Sequence, residues 1–101
     1  MKILAIEKEI IGITKDQLTA ELKKAEANRL WELYQSGKIR ELYFRADRNE
    51  AVLILECIDT SEAKSVLNTL PLMKAGLIDF DIIPLKAYPG FSRLFSATTG
   101  V

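Results

Sequence analysis

Apolar and polar residues alternate with a period of two in three stretches of this chain, and this alternation predicts three β-strands. The three strands fall at residues 2–8, 39–46 and 77–85. A fourth stretch, residues 51–58, is almost wholly apolar and rich in β-branched side chains, which is typical of a central strand. The pattern therefore predicts a four-stranded sheet.

A helical period of 3.6 residues follows the first strand and predicts a helix over residues 16–36. Thr14 and Gln17 have the spacing of a capping box at its beginning. Gly37 lies just beyond its end, where helices often need a residue that tolerates a positive φ. We therefore expect the first helix to be bounded by these residues.

A second helix is predicted to begin after Asp59, which has Glu62 at capping-box spacing, and to stop at Pro71. The order βαββαβ defines a ferredoxin-like α+β fold with both helices on one face of an antiparallel sheet. We expect one domain over residues 1–88 and a tail over 89–101, whose apolar side chains need a partner surface. The other face of the sheet has no helices to cover it, and this favours the pairing of two subunits into a dimeric α+β barrel.

The first helix carries a charge pair on its core-facing side. With Leu22 taken as zero, Leu33 lies at about +20°, Glu26 at about +40° and Arg29 at about −20° on the helical wheel. Burying a charge costs several kcal/mol unless it is paired. The two charged groups therefore need each other or a ligand cavity.

Two interpretations of this pair remain open. In the first, Glu26 is a general base with a pKa raised by its apolar neighbours, and Arg29 or Arg40 stabilises an enolate-like oxygen. Arg40 is expected to join the site because it alternates in phase with Leu42 and Phe44 on the predicted helix-covered face. In the second interpretation, Glu26 and Arg29 form an i,i+3 surface pair worth a few tenths of a kcal/mol.

Two further surfaces are expected to be interfaces between subunits. Trp31 and Tyr34 lie on the outer side of the first helix, where we expect a subunit contact rather than a tryptophan lying flat on the domain. Several polar side chains are predicted on the sheet face away from the helices, where they would pair inside the barrel rather than form a second ligand site. They are Glu41, Tyr43, Arg45, Asp79 and Asp81.

Composition narrows the function classes. Fourteen Lys and Arg balance 14 Asp and Glu, which argues against nucleic-acid binding. The chain has no histidine, so neither a metal centre nor a Ser/His or Cys/His catalytic system is expected, and no cofactor is predicted.

The single Cys57 lies in an apolar run typical of a core thiol. With no signal-peptide pattern and no apolar run of about 20 residues, we expect a cytoplasmic protein that does not bind membranes.

Three motifs in order resemble the muconolactone isomerase-like proteins of the dimeric α+β barrel superfamily. They are Gly37-x-x-Arg40-x-Leu42, Asp59 with Ser61, and Leu67-x-x-Leu70-Pro71-Leu72. The resemblance covers about residues 20–88, and it matches Glu26 to a glutamate on the family's first helix and Arg40 to the family's strand arginine. Glu41 stands where the isomerases carry a histidine.

The resemblance implies a cofactor-independent enzyme that moves a proton on a small organic acid or lactone. It also implies assembly into homodimers and rings of dimers. Because histidine is absent, a non-catalytic ligand-binding or assembly protein with the same barrel is the alternative. Glu26, Arg29 and Arg40 are the candidate catalytic residues of the first interpretation.

Overall fold

A computed structural model describes residues 1–95 of the chain, in which four strands form one antiparallel sheet. The strands are β1 (Lys2–Lys8), β2 (Ile39–Phe44), β3 (Ala51–Glu56) and β4 (Asp79–Pro84). Their order in the sheet is β2-β3-β1-β4. The helices are α1 (Ala20–Gln35), α2 (Thr60–Leu67) and α3 (Pro71–Lys74), with single 3-10 turns at Lys15–Gln17 and Gly90–Leu94. The predicted ferredoxin-like α+β fold is confirmed.

The core lies between the helices and one face of the sheet. Ile3 and Ala5 of β1 face Leu55 and Leu53 of β3 across the ladder, and all four side chains are buried. Leu33 of α1 covers them from the helical layer. Such alternation of buried residues at every second position is what a half-covered sheet requires.

The first helix begins later than the sequence predicts. Thr14 and Gln17 do form a capping box, in which the Thr14 N–H donates to Gln17 Oε1 at 2.8 Å, but it closes only the 3-10 turn. The helix itself begins after Thr19, whose hydroxyl accepts from the Leu22 N–H at 3.2 Å. Two adjacent capping signals compete here, and Leu18, with ψ 72°, separates them.

The end of α1 agrees with the prediction. Ser36 is the last residue in a helical conformation, and Gly37 follows it with φ +81°. Any residue with a Cβ would be strained in this left-handed conformation.

The second helix is capped as predicted and ends earlier. Asp59 accepts a hydrogen bond from the Glu62 N–H at 2.8 Å, which fixes the beginning of α2. Leu67 is its last residue. Pro71 lies beyond the end of α2 and is the first residue of the short α3, because proline fits the first turn of a helix. α3 packs against α1.

The sheet face away from the helices has no cover within residues 1–95. Four half-buried apolar side chains line its two central strands, and the more exposed Tyr43 and Ile83 flank them on the edge strands. The four are Leu4, Ile6, Val52 and Ile54. Lys8 forms ion pairs with Asp81 at 3.1 Å and Asp79 at 3.7 Å at one end of this face.

Beyond β4 the chain exposes aromatic side chains. The rings of Tyr88 and Phe91 meet edge to face at 5.2 Å, and Gly90 is buried under Tyr88, so a side chain at that position would overlap the tyrosine ring. The predicted tail begins in this segment, and its residues 96–101 lie outside the described part of the chain.

None of the helices in residues 1–95 is long and apolar enough to cross a bilayer.

Candidate functional site

Glu26 lies on α1 and is buried where this helix packs against the rest of the domain. The residue is only 8% exposed, and its Oε1 accepts a hydrogen bond from the backbone N–H of Leu72 at 2.9 Å. Leu72 lies in the first turn of α3, so the contact between α1 and α3 aims a main-chain donor at the carboxylate. The structure thus places Glu26 where the helical stripe predicts.

Burial changes the acidity of Glu26. Loss of solvent raises the pKa of this carboxyl, the Leu72 N–H opposes the rise, and the negative charge of Glu7 adds to it. Within residues 1–95 no Lys, Arg or terminal amine lies within 4.0 Å of it. Such an unneutralised, partly desolvated carboxyl is typical of a general base.

Glu7 is a second carboxylate on the same side of the sheet. It follows Ile3 and Ala5 at every second position of β1, and its Oε1 accepts from the Ala51 N–H of β3 at 2.9 Å. Burial raises the pKa of Glu7, the Ala51 N–H opposes this rise, and the charge of Glu50 adds to it. Sequence reasoning missed Glu7, although the period-two pattern already placed it in line with Ile3 and Ala5.

Glu50 belongs to the turn between β2 and β3 and is 7% exposed. Its Oε1 lies 2.8 Å from Arg48 Nε and 3.7 Å from an Arg45 nitrogen. The two guanidinium groups compensate the buried charge, which makes Glu50 a structural anchor of the turn. Arg45 turns to this network and to Asp47, at 2.7 Å, rather than across the open face of the sheet as predicted.

Arg29 does not pair with Glu26. Its Nε donates to the Thr69 hydroxyl at 2.9 Å, and its other end lies 3.3 Å from Glu32. The prediction of an i,i+3 Glu26–Arg29 surface pair is therefore wrong, because the hydroxyl between α2 and α3 offers Arg29 a half-buried acceptor. Arg29 remains one turn along α1 from Glu26.

Arg40 lies far from Glu26. A bulge between Ile39 and Glu41 interrupts the alternation of β2 at Arg40. Arg40 is exposed, and its Nε donates to the Gly37 carbonyl at 2.8 Å, so the structure does not bring it to Glu26 within one protomer. Gly37 lies 11 residues beyond Glu26, which is roughly 16 Å along a helix axis.

Two surface cavities lie away from Glu26. One, of about 270 Å³, is bounded by α2 and β4 and includes Lys64, Phe80 and Asp81. The other, of about 360 Å³, is open and contains Arg40 and the beginning of α2. Neither is lined by Glu26.

Cys57 lines the second cavity but is buried, as the sequence predicts for a core thiol. Burial raises the pKa of the thiol, which disfavours the reactive thiolate. The neighbouring Glu62 pairs with Lys38 at 2.7 Å. This cavity therefore holds no activated nucleophile.

Trp31 and Tyr34 are exposed on the outer side of α1. Their rings stack with centroids 5.9 Å apart and an interplanar angle of 29°. On the open sheet face, the Tyr43 hydroxyl donates to Glu41 at 2.7 Å. The Trp31–Tyr34 pair and the Tyr43 ring are therefore exposed aromatic surfaces that no other described residue covers.

Comparison with known proteins gives a family and a fold. The family model for muconolactone delta-isomerase matches residues 5–90. The structure is similar to that of muconolactone isomerase, with a TM-score of 0.71, 18% identity, and coverage of 99% of this chain and 98% of that one. It is also similar to a 5-chloro-2-hydroxyhydroquinone dehydrochlorinase from Burkholderia phenoliruptrix AC1100 in complex with 2,5-dihydroxybenzoquinone, with a TM-score of 0.63, 23% identity, and coverage of 85% and 94%. A search of curated proteins gave no match.

Proposed function

The chain belongs to the muconolactone delta-isomerase family, and from this premise we propose that it is a cofactor-independent enzyme that transfers a proton on a small organic acid or lactone. The observation that carries the proposal is the buried Glu26 carboxylate, which has no cation within 4.0 Å in residues 1–95. A carboxylate in this setting costs stability, and a domain keeps such a group most readily when it serves a reaction.

Glu26 would act as the general base. Its Oε1 is held by the Leu72 N–H, while Oε2 has no hydrogen-bond partner among the described residues and can receive a proton. In a double-bond shift, Oε2 would remove a proton next to a carbonyl and return it at the far end of the resulting dienolate. The net reaction moves one proton and one double bond and consumes nothing.

Arg29 is the proposed electrostatic partner. It lies one turn from Glu26, and its Nε is held by Thr69, which fixes the direction of its guanidinium group. A fixed guanidinium can stabilise negative charge that develops on a carbonyl oxygen. Arg40 has no part in this mechanism because it lies at the other end of α1.

Self-association is a second part of the proposal. A homodimer would cover the apolar open face of the sheet, and further contacts through Trp31, Tyr34 and the segment from residue 89 would join dimers into larger rings. A partner subunit would also be placed to complete a substrate cavity. Fractionation of the source cells would test the cytoplasmic location that we propose for the enzyme.

The experiment that tests this function compares Glu26→Gln with Glu21→Gln in assays on muconolactone and related small lactones. The amide of the Glu26→Gln variant keeps an acceptor for the Leu72 N–H but cannot take up a proton, so turnover should fall by about 10²–10⁴-fold. Glu21 is exposed in the first turn of the same helix, and its variant should keep full turnover. Unchanged turnover in a folded Glu26→Gln protein would contradict the proposed base.

The positions of the cavities favour one alternative. Since neither of the two described cavities is lined by Glu26, the chain could bind a ligand or assemble without catalysis. In that case none of the lactones would be turned over by the wild type. A lactone that raises the melting temperature of both the wild type and Glu26→Gln would then indicate binding alone.

A further inference from the structure

Glu7 and Glu26 come from different elements but lie in the same layer. β1 ends at the side of the sheet where α1 begins, and Glu7 is the last residue of β1 that faces the helices. Glu26 lies on the sheet-facing stripe of α1, two turns before the buried Leu33. The topology therefore brings two carboxylates between helix and sheet at the same end of the domain.

Main-chain donors hold both carboxylates in place. The Ala51 N–H donates to Glu7 and the Leu72 N–H donates to Glu26, each at 2.9 Å. Neither side chain can rotate toward solvent without leaving a part-buried N–H unpaired, which is unfavourable. In residues 1–95 neither carboxylate has a cation within 4.0 Å. Their charges are therefore fixed and uncompensated.

Two charged groups on elements next to these carboxylates have other partners. Glu50, in the turn before β3, is paired with Arg45 and Arg48. On α1 itself, Arg29 is turned to Thr69 and Glu32. α3 contributes the backbone donor of Leu72, and its exposed Lys74 lies within 4.0 Å of neither carboxylate. The negative charge of Glu7 is the group on β1 that acts on Glu26, and it raises the pKa of Glu26.

We propose that Glu7 is a positioning residue of the Glu26 site: the Ala51 N–H holds its carboxylate on the sheet, on the side that α1 covers, at the end of the domain where Glu26 lies. This inference rests on the proposed function, because Glu7 can position a general base only if Glu26 is one. A base whose pKa lies nearer the working pH accepts a proton more effectively in the transition state. Glu7 itself touches no substrate in this proposal.

The experiment follows the Glu26 carboxyl by ¹³C NMR as a function of pH. Spectra are recorded for the wild type, Glu7→Gln and Glu21→Gln, and the Glu26 signal is assigned by its loss in Glu26→Gln. The Glu7→Gln change keeps an acceptor for the Ala51 N–H and removes only the charge, so Glu26 should titrate at lower pH in this variant. Removal of the exposed Glu21 charge should leave the Glu26 titration where it is. Equal midpoints in the wild type and Glu7→Gln would overturn the inference.

Two additions separate this inference from the proposed function. If Glu7→Gln fails to fold, Glu7→Met provides an unbranched, uncharged replacement with the same expected shift. Where turnover is measurable, the acidic limb of kcat/KM should also move to lower pH in Glu7→Gln.

A shifted Glu26 titration with full turnover in Glu26→Gln would contradict the proposed function alone. An unshifted titration with impaired Glu26→Gln would contradict only the role of Glu7.

Discussion

Glu26 on α1 and Leu72 on α3 are joined by a single hydrogen bond of 2.9 Å, from the backbone N–H of the leucine to the buried carboxylate of the glutamate. This bond ties the longest helix to the shortest one. It also makes the carboxylate part of the domain's packing. Changes at Glu26 should therefore be visible in stability as well as in turnover.

Glu26→Gln should change how stability depends on pH. The folded-state pKa of Glu26 lies above the ordinary 4.5, so the folded protein holds this proton more tightly than the unfolded chain. The protonated Glu26 carboxyl contributes fully to the free energy of unfolding below its unfolded-state pKa, and this contribution is lost as pH rises through the folded-state pKa. Glu26→Gln has no proton to lose at this position. Its free energy of unfolding should therefore rise relative to that of the wild type as pH rises through this range.

Urea unfolding at several pH values measures this difference. Glu21→Gln serves as the control, since it removes an exposed carboxylate from the same helix. Parallel stability curves for the wild type and Glu26→Gln would show that burial does not perturb Glu26.

The contact between Arg29 and Thr69 should contribute about 0.5–1.5 kcal/mol to stability. Thr69→Val keeps the side-chain shape but removes the hydroxyl that accepts from Arg29 Nε. Because this hydroxyl also donates to the Val66 carbonyl at 2.6 Å, the single variant loses two bonds. A double-mutant cycle with Arg29→Met isolates the Arg29–Thr69 coupling in urea unfolding. A coupling near zero would show that this bond does not fix the guanidinium.

Ile54→Lys should separate a dimer that forms through the open sheet face. Ile54 lies opposite Leu4 in the middle of this face, where a lysine would bury its charge in the interface but reach water in a monomer. Sedimentation should change from dimer or larger to monomer. The matched control is Ile11→Lys, at a fully exposed position, which should keep the wild-type size. A wild type that sediments as an 11.4 kDa monomer would contradict the interface.

Gly37→Ala should cost about 1–2 kcal/mol of unfolding free energy, because φ at this position is +81°. A Cβ here would meet its nearest neighbour, Arg40 Nε, at 3.8 Å, which is ordinary van der Waals contact. The cost is therefore one of backbone conformation and not of crowding. Gly37→Asn should cost less, since asparagine adopts positive φ more readily. Equal melting temperatures for both variants and the wild type would refute this account.

The burial of Glu26 could be predicted because it depends only on helix geometry. Its offset from Leu33 by seven residues, close to two full turns, places both on one side of α1. The hydrogen bond from Leu72 could not be predicted. It depends on how α3 packs against α1 across 46 residues of sequence, and no local pattern specifies that.

The position of Arg40 shows where alternation fails. A period of two predicts faces only while the ladder is regular, and the bulge between Ile39 and Glu41 interrupts the ladder at Arg40. Glu7 is the opposite case. The regular alternation of β1 did indicate its position, but a charged residue at the end of a strand resembles an ordinary solvent-exposed terminus.

The bulge in β2 has a consequence for how copies of this chain can meet. β2 and β4 are the two edges of the sheet, and unpaired strand edges are where proteins add strands to one another and grow into fibrils. The bulge at Arg40 interrupts the hydrogen-bonding line of one edge, and Pro84, which lacks an N–H, ends the other. Because neither edge strand offers an uninterrupted row of backbone hydrogen-bonding groups, face-to-face dimerisation of two sheets is favoured over strand addition at their edges.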